Sequence, residues 1–174
     1  MKVVLKNVNK CYKDKHVLKD ANLEVTEPGI VRIPGPSGSG KTTLLRLVAG
    51  LEKADSGEVT IEGKTLMMFQ SYRLFPERSI LENVTFGRKK LFGRAIEILE
   101  RLGLSDEKDT KIKNASGGMA QRTAFARLVL FADDADILLA DEPISAQDKE
   151  NAEKIMDILR ELSQKKIVLL VSHS

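Results

Sequence analysis

Residues 35–42 read Gly-Pro-Ser-Gly-Ser-Gly-Lys-Thr, a spacing that fits the phosphate-binding pattern G-x-x-x-x-G-K-[ST]. Glycines let the backbone pass close to anionic oxygens, and N–H groups at a helix start supply partial positive charge. Lys41 adds a full positive charge, and the Thr42 hydroxyl can ligate Mg²⁺. This stretch therefore predicts a nucleotide-binding site with Mg²⁺ as its metal.

The residues on either side agree with this interpretation. An apolar run at 30–33 predicts a strand before the loop, and apolar residues at helical spacing over 44–48 predict a helix after it. Strand, loop and helix in this order favour a phosphate-binding loop over a flexible glycine and serine turn.

Two adjacent carboxylates end a second apolar run, at 137–140, which is typical of a parallel strand buried on both faces. Asp141 is placed to hold the Mg²⁺ shell, and Glu142 to orient or deprotonate an attacking water. The alternative is a pair of surface acids at the end of a strand. A phosphate-binding loop in the same chain favours the hydrolytic role.

Ser116, Gly117 and Gly118 predict a helix start with Ser116 as its N-cap. Exposed N–H groups at such a start form a second anion site. The alternative is an ordinary helix cap.

Composition agrees with one folded domain. The 174 residues are 42% hydrophobic and 30% charged, enough apolar residues for a core and too many for a disordered chain. The net charge of +3 is mild and scattered, so no nucleic-acid partner is expected. Cys11 is the single cysteine, which excludes an internal disulfide. No apolar stretch is long enough to predict a membrane span.

The remaining pattern places these motifs on an α/β scaffold. Residues 3–8 and 23–26 predict N-terminal antiparallel strands, and 149–162 predict a helix between two buried strands. Residues 77–134 are mostly helical, with Ser79 and Glu82 as a capping box. In that segment Ile96, Leu99 and Leu102 are expected to share a buried face.

Six motifs in this order resemble those of the ABC ATPase nucleotide-binding domain, and they span nearly the whole chain. They are Tyr12 (the adenine-stacking aromatic), Met67–Gln70 (Q-loop), Asn114–Arg122 (signature), Ile137–Pro143 (Walker B), Ser145–Asp148 (D-loop) and His173 (switch histidine), together with the phosphate-binding loop. The resemblance implies a P-loop NTPase core with a mostly parallel sheet, an N-terminal antiparallel β edge and an inserted α-helical subdomain. We expect the core at 1–76 and 135–174, and the helical subdomain at 77–134.

The resemblance also assigns roles. It implies an ATPase whose catalytic residues are Glu142, His173, Lys41 and Gln70, with Mg²⁺ held by Thr42, Gln70 and Asp141. The expected ATP contacts are Tyr12, Gly35, Pro36, Ser37, Gly38, Ser39, Gly40, Lys41, Thr42, Thr43, Ser116, Gly117, Gly118 and Asp148.

In the resembled family two such domains meet head to tail, so that the signature of one covers the ATP held by the other. The resemblance thus implies an ATP-bound homodimer that drives permease subunits, with or without a substrate-binding protein, from the cytoplasmic face of the cell membrane. Residues 69–76 and the methionine of Ser116–Met119 are similar to those of nitrate, sulfonate and taurine importer ATPases.

Some positions depart from the family pattern. Ala115 and Gln147 stand where leucine is usual, and Met119 where glutamine is common. The sequence ends just after His173, so we expect a fold truncated at its C-terminus relative to the family. The alternatives are a soluble ABC ATPase of the DNA repair, translation or Fe–S assembly type, and a truncated domain with weak activity.

Overall fold

The computed structural model describes residues 1–172, which contain two β-sheets and five α-helices. The strands are β1 (Lys2–Tyr12), β2 (Lys15–Val25), β3 (Gly29–Ile33), β4 (Ser56–Glu62), β5 (Thr65–Met68), β6 (Ile137–Asp141) and β7 (Ile167–Val171). The helices are α1 (Lys41–Val48), α2 (Ile80–Thr85), α3 (Phe92–Arg101), α4 (Gly117–Leu130) and α5 (Lys149–Ser163).

Four strands form a parallel sheet in the order β3, β7, β6, β5. Every residue of β6 and β7 is buried, as their continuous apolar runs predict for parallel strands covered on both faces. Alternate side chains enter different apolar clusters: Leu138 and Val168 pack on the α4 and α5 side, whereas Leu139 and Leu169 pack on the α1 side. The sheet is therefore the centre of the α/β core.

The N-terminal strands pair antiparallel in a sheet of their own, in the order β2, β1, β4. Val3, Leu5 and Val8 of β1 are buried against α1 and one face of the parallel sheet. The predicted antiparallel β edge is thus present, and its strands are longer than the apolar patterns indicated.

Helices α2, α3 and α4 lie between β5 and β6 in the chain, within the segment predicted to be helical. The capping box is confirmed: Ser79 Oγ accepts from the backbone N–H of Glu82, whose carboxylate accepts from the N–H of Ser79. The division into core and helical subdomain stays a prediction, because one continuous apolar cluster joins these helices to the sheet and α5.

One part of the helical prediction was wrong. Ile96 is 37% exposed, whereas Ala95, Ile98 and Leu99 are buried and Leu102 follows them inward. Residues three, four and seven apart share a helix face, and the face that starts at Ala95 leaves Ile96 turned by about 100° toward solvent.

Parallel strands bring their carboxyl ends to one edge of the sheet. Ile33 of β3 and Asp141 of β6 both lie in register with Val171 of β7. The loop at 34–40, the acidic pair and the segment after β5 that carries Gln70 consequently meet at this edge, although they are far apart in sequence.

Candidate nucleotide-binding site

The glycine-rich loop turns sharply into helix α1. Gly40 is the N-cap of α1 with φ +93°, in the left-handed region that favours glycine. A Cβ there would lie 2.5 Å from the carbonyl oxygen of Val17, so no larger residue fits without moving β2. The loop thus brings the free N–H groups of the first turn of α1 to the sheet edge, where an anion can accept from them.

Lys41 points back over this loop. Its Nζ donates to the carbonyl oxygens of Gly35 and Pro36 at 2.6 and 2.8 Å, and the residue is 7% exposed. A phosphate at this position would offer the ammonium group charged oxygens in place of neutral carbonyls.

Thr42 and Asp141 join α1 to the end of β6. Thr42 Oγ1 donates to Asp141 Oδ2 at 2.8 Å, and Asp141 is 1% exposed. Within residues 1–172, the other carboxylate oxygen of Asp141 has no hydrogen-bond partner. Burial raises the pKa of the Asp141 carboxyl from its ordinary value of 3.8, so the charged form is costly unless a cation lies nearby.

This arrangement fits Mg²⁺, because a buried unpaired carboxylate oxygen beside a hydroxyl is a hard-oxygen donor set. No group of three or more His, Cys, Asp or Glu residues that could hold a metal occurs in the described part of the chain. The other ligands of a cation at Thr42 and Asp141 would therefore be groups such as phosphate oxygens, water or the amide oxygen predicted from Gln70.

Glu142 has an uncommon backbone conformation, with φ +54°. Its N–H donates to the carbonyl oxygen of Val171 at 2.9 Å, and its side-chain Oε2 accepts from Gln70 Nε2 at 3.1 Å. The structure thus brings together Glu142 and Gln70, two of the residues predicted to be catalytic. His173, another of them, lies outside the described residues.

One cavity of about 370 Å³ is lined by half of the predicted ATP contacts, together with two of the predicted catalytic residues, Gln70 and Glu142. Its lining includes Tyr12, Ser37, Gly38, Gly40, Lys41, Thr42, Thr43, Gln70 and Glu142. Tyr12 is 41% exposed at the rim, and its hydroxyl donates to the carboxylate of Glu52. Lys15 and Val17 also line this cavity, and no motif pointed to them.

The signature residues lie elsewhere. Ser116 is the N-cap of α4, and its Oγ accepts from the N–H of Met119 at 3.2 Å, which confirms the predicted cap. Neither Ser116 nor the next two glycines is among the residues lining the cavity at Lys41. Asp148 caps α5 and accepts from the backbone N–H of Asn151 at 2.8 Å, which lowers the pKa of its carboxyl.

Gln121 lies within the predicted signature, Asn114–Arg122, but was assigned no role of its own. It is fully buried in α4, and its Nε2 donates to the carbonyl oxygen of Glu142 at 2.7 Å and to Ser145 Oγ at 2.9 Å. Its Oε1 accepts from the N–H of Ala146 at 3.1 Å. The sequence signal that could have indicated this role is a polar amide in a helix whose neighbouring residues are mostly apolar, because a buried amide needs hydrogen-bond partners.

A second, larger cavity of about 490 Å³ lies between the segment after β5 and helix α4. We call it the arginine groove; its apolar lining includes Met67, Phe69, Tyr72, Phe86, Leu128 and Phe131, and its arginines are Arg73, Arg88 and Arg127. Sequence reasoning missed this groove as well, because its walls come from segments that are distant in the chain.

Arg127 is a half-buried cation of this groove. Its Nη1 donates to the carbonyl oxygen of Arg73 at 3.1 Å, and its Cζ lies 4.9 Å from the ring centre of Phe86. Among residues 1–172 its buried Nε and Nη2 have no hydrogen-bond partner. Burial lowers the pKa of the Arg127 guanidinium, because removing the charged group from water without an anionic partner costs free energy.

Across residues 1–172, every helix is too short or too polar to cross a membrane.

Known proteins resemble the chain over nearly its whole length. Glutamate/aspartate import ATP-binding protein GltL of Escherichia coli (strain K12) is 36% identical over 192 aligned positions, covering 97% of this chain and 79% of GltL. Fe(3+) ions import ATP-binding protein FbpC of Photobacterium profundum is 40% identical, covering 94% of this chain and about half (51%) of FbpC.

Solved structures agree with the fold. A dimeric ATP-binding cassette in a post-hydrolysis state, bound to ADP and Pi, has a TM-score of 0.86 and 34% identity, covering 99% of this chain and 88% of that chain. A nucleotide-free ATP-binding cassette from an ABC transporter has a TM-score of 0.81 and 25% identity, covering 100% of this chain and 82% of that chain. Residues 18–145 match the family model described as ABC transporter. The chain therefore belongs to the ABC transporter ATP-binding family, whose members hydrolyse ATP to drive transport.

Proposed function

We propose that two copies of this chain close head to tail around two ATP molecules, each bound at the Lys41 loop of one copy and covered by the Ser116 turn of the other. The separation of the two anion sites carries this proposal. Residues at the Lys41 loop line one cavity, whereas the N-cap of α4 is not part of its lining. A second chain can supply the missing helix start, and the dimeric cassette bound to ADP and Pi is consistent with such a pairing.

Within each site the chain's own residues divide the work. Lys41 and the first-turn N–H groups of α1 hold the phosphates, as do the backbone and side chains of the loop from Gly35 to Thr43. Thr42 and Asp141, together with Gln70, would hold Mg²⁺, which when bound would supply positive charge beside the phosphates. Glu142 takes a proton from the attacking water, which Gln70 and His173 help to orient.

Tyr12 and Asp148 complete the proposed site. The ring of Tyr12, exposed at the cavity rim, offers a flat surface for adenine. Asp148 would lie at the seam between the two copies, while its carboxylate keeps capping α5.

The arginine groove is the surface that we propose for the permease. Its floor is apolar, and Phe86 is 47% exposed there. A permease segment that presents apolar side chains and a carboxylate would cover this floor and compensate the unpaired nitrogens of Arg127.

The position of the groove suits a coupling role. Its lining residues Phe69 and Tyr72 flank Gln70, whose amide contacts Glu142. Burial and, after it, the negative charge of Glu142 raise the pKa of the Tyr72 hydroxyl. A partner seated in the groove would therefore act on the segment that positions water.

The proposed complex is an importer at the cytoplasmic face of the cell membrane, as the import ATP-binding relatives suggest. Within importers, residues 69–76 and Ser116–Met119 favour the nitrate, sulfonate and taurine class, served by a substrate-binding protein. The names of the relatives, which concern amino acids and iron, do not address this narrower proposal.

The test is Mg²⁺-dependent phosphate release by the wild-type chain, by Glu142→Gln and by Glu97→Gln, an exposed glutamate of α3 that serves as a matched control. Glu142→Gln should lose at least about a hundredfold in kcat and form a longer-lived ATP-bound dimer in light scattering, because it binds ATP without using it. Glu97→Gln should match the wild type. Undiminished activity of Glu142→Gln would contradict the assigned base, and monomers alone with ATP and Mg²⁺ would contradict the dimer.

A further inference from the structure

The first turn of α4 packs unusually closely on the segment that follows Glu142. A Cβ placed on Gly118 would lie 3.1 Å from the carbonyl oxygen of Ala146, tighter than most real Cβ contacts. A side chain at position 118 would therefore force this neighbour to shift by a few tenths of an ångström. Because the two segments are in close contact, a shift of one displaces the other.

Gln147 fastens this contact with its side chain. Its Nε2 donates to the carbonyl oxygen of Gly118 at 3.0 Å and to Gln121 Oε1 at 2.7 Å. Its Oε1 accepts from Arg122 Nη1 at 2.7 Å. Both ends of this half-buried amide are therefore bonded to α4, from the first turn to the second.

Gln121 continues the connection to the hydrolytic acid. The same Gln121 amide that accepts from Gln147 donates to the carbonyl oxygen of Glu142. Two glutamine side chains thus span the distance from the turn that follows Ser116 to the backbone of Glu142. We call Gln147 and Gln121 the glutamine brace.

The amide at position 147 is what makes this brace possible. Leucine, usual at this position in the resembled family, has a similar volume but can neither donate to Gly118 nor accept from Arg122. An apolar side chain would leave the Arg122 guanidinium without this acceptor and Gln121 Oε1 with one donor fewer. The brace therefore depends on the glutamine that this chain has at position 147.

We infer that Gln147 is a positioning residue that couples the two ATP sites of the dimer. The inference rests on the proposed function, in which the Ser116 turn touches the ATP held by the partner copy while Glu142 acts on the ATP of its own copy. Closure of the turn on one nucleotide is transmitted through the brace to the backbone that aims Glu142 at the other. Hydrolysis at the two sites is then cooperative.

The experiment compares wild type, Gln147→Leu, Gln147→Glu and Gln164→Leu, the last being the same substitution at an exposed site beyond α5. Gln147→Leu removes three hydrogen bonds. Because only part of their energy acts on the transition state, kcat should fall about three- to tenfold, with KM within about twofold. The Hill coefficient for ATP should fall toward one. Gln164→Leu should match the wild type in both.

Gln147→Glu distinguishes the contribution of the Gln147 amide as a hydrogen-bond donor from its contribution as an acceptor. It keeps an acceptor for Arg122 but places a carboxylate against the Gly118 carbonyl oxygen and Gln121 Oε1, so it should be as impaired as Gln147→Leu. Gln147→Leu and Gln147→Glu should lower the midpoint of thermal unfolding, because each loses hydrogen bonds of a half-buried side chain. ATP binding without Mg²⁺ should stay close to wild type in all variants, which shows that the Lys41 loop is intact.

The outcomes distinguish the inference from the proposed function. If the wild type is cooperative and Gln147→Leu has the same kcat and the same Hill coefficient, the inferred role of the glutamine brace is wrong. The proposed dimer would not be affected by that result. Wild-type activity of Gln147→Glu would overturn it too, because the donor would then be dispensable. A wild-type chain that hydrolyses ATP as a monomer would overturn the dimer itself, and the brace with it.

Discussion

Gln121 Nε2 donates to the backbone carbonyl oxygen of Glu142 at 2.7 Å, across 21 positions of sequence. Glu142 has φ +54°, a conformation that costs a residue with a Cβ about 1–2 kcal/mol. Its N–H is held by Val171 and its carbonyl by Gln121, so the backbone is fixed from both sides. The conformation that aims the acid at the cavity is thus maintained by the start of α4 and the end of β7.

Replacing Gln121 should impair both stability and activity. Gln121→Met keeps the length of the side chain but removes four hydrogen bonds from a fully buried position. We expect a loss of about 2–4 kcal/mol in the free energy of unfolding and a fall in kcat of tenfold or more. Urea unfolding and phosphate release measure the two effects. Wild-type kcat in a folded Gln121→Met protein would show that Glu142 does not need this bond.

Removing the buried charge of Asp141 should separate stability from metal use. Asp141→Asn keeps an acceptor for Thr42 Oγ1 and removes a carboxylate that burial disfavours. We expect the nucleotide-free variant to be more stable than wild type at pH 7, and Mg²⁺-dependent hydrolysis to fall by about a hundredfold or more.

The stability difference should depend on pH in one direction. In wild type the folded-state pKa is raised above 3.8, so ionisation lowers stability as the pH rises from 3.8 through that raised value. Asp141→Asn lacks this loss, and its advantage in urea unfolding should grow over that window. Asp106→Asn, the same substitution at an exposed site, is the control. A constant difference at all pH values would contradict the assigned penalty.

The capping box of α2 should contribute a measurable share of stability. Ser79→Ala removes the hydroxyl that accepts from Glu82 N–H, and we expect it to cost about 1 kcal/mol of unfolding free energy. Ser71→Ala, outside the helices and their caps, is the control. Equal midpoints in urea for the two variants would mean that the box adds nothing.

The arginine groove offers a test of permease binding. Phe86→Ser removes an exposed ring from the groove, whereas Ile96→Ser removes an exposed apolar side chain outside it. Because both residues are exposed, both variants should fold and hydrolyse ATP as wild type does. In a pull-down from native membranes, Phe86→Ser should retain about tenfold less permease and Ile96→Ser the wild-type amount. Equal recovery would place the permease elsewhere.

Local features of this protein could be predicted from its sequence. The loop at 35–42, the caps at Ser79 and Ser116, and the buried strands at 137–141 and 167–171 each depend on residues within a few positions of one another. Motif order also indicated that Thr42, Gln70 and the acidic pair belong to one site, since parallel strands bring their carboxyl ends together.

Interactions between distant segments could not be predicted in the same way. Ile96 was placed on the wrong face because several apolar residues of α3 compete for burial, and only packing decides among them. Gln121 gave no clear signal, because a glutamine in a helix is usually exposed and its partners lie more than 20 positions away. The arginine groove needs walls from β5, α4 and the segment between them.

The sequence by itself determined which residues are available for chemistry in this protein: a glycine-rich loop with a lysine, two adjacent acids after a strand, and a second helix start capped by a serine. Those properties reside in residue types and short spacings, which act through local backbone geometry. Tertiary structure alone decided how the parts are joined, through Thr42 on Asp141, Gln121 on Glu142 and Gln147 on Gly118. Hydrogen bonds act over about 3 Å of space, and only the folded chain brings such distant residues that close.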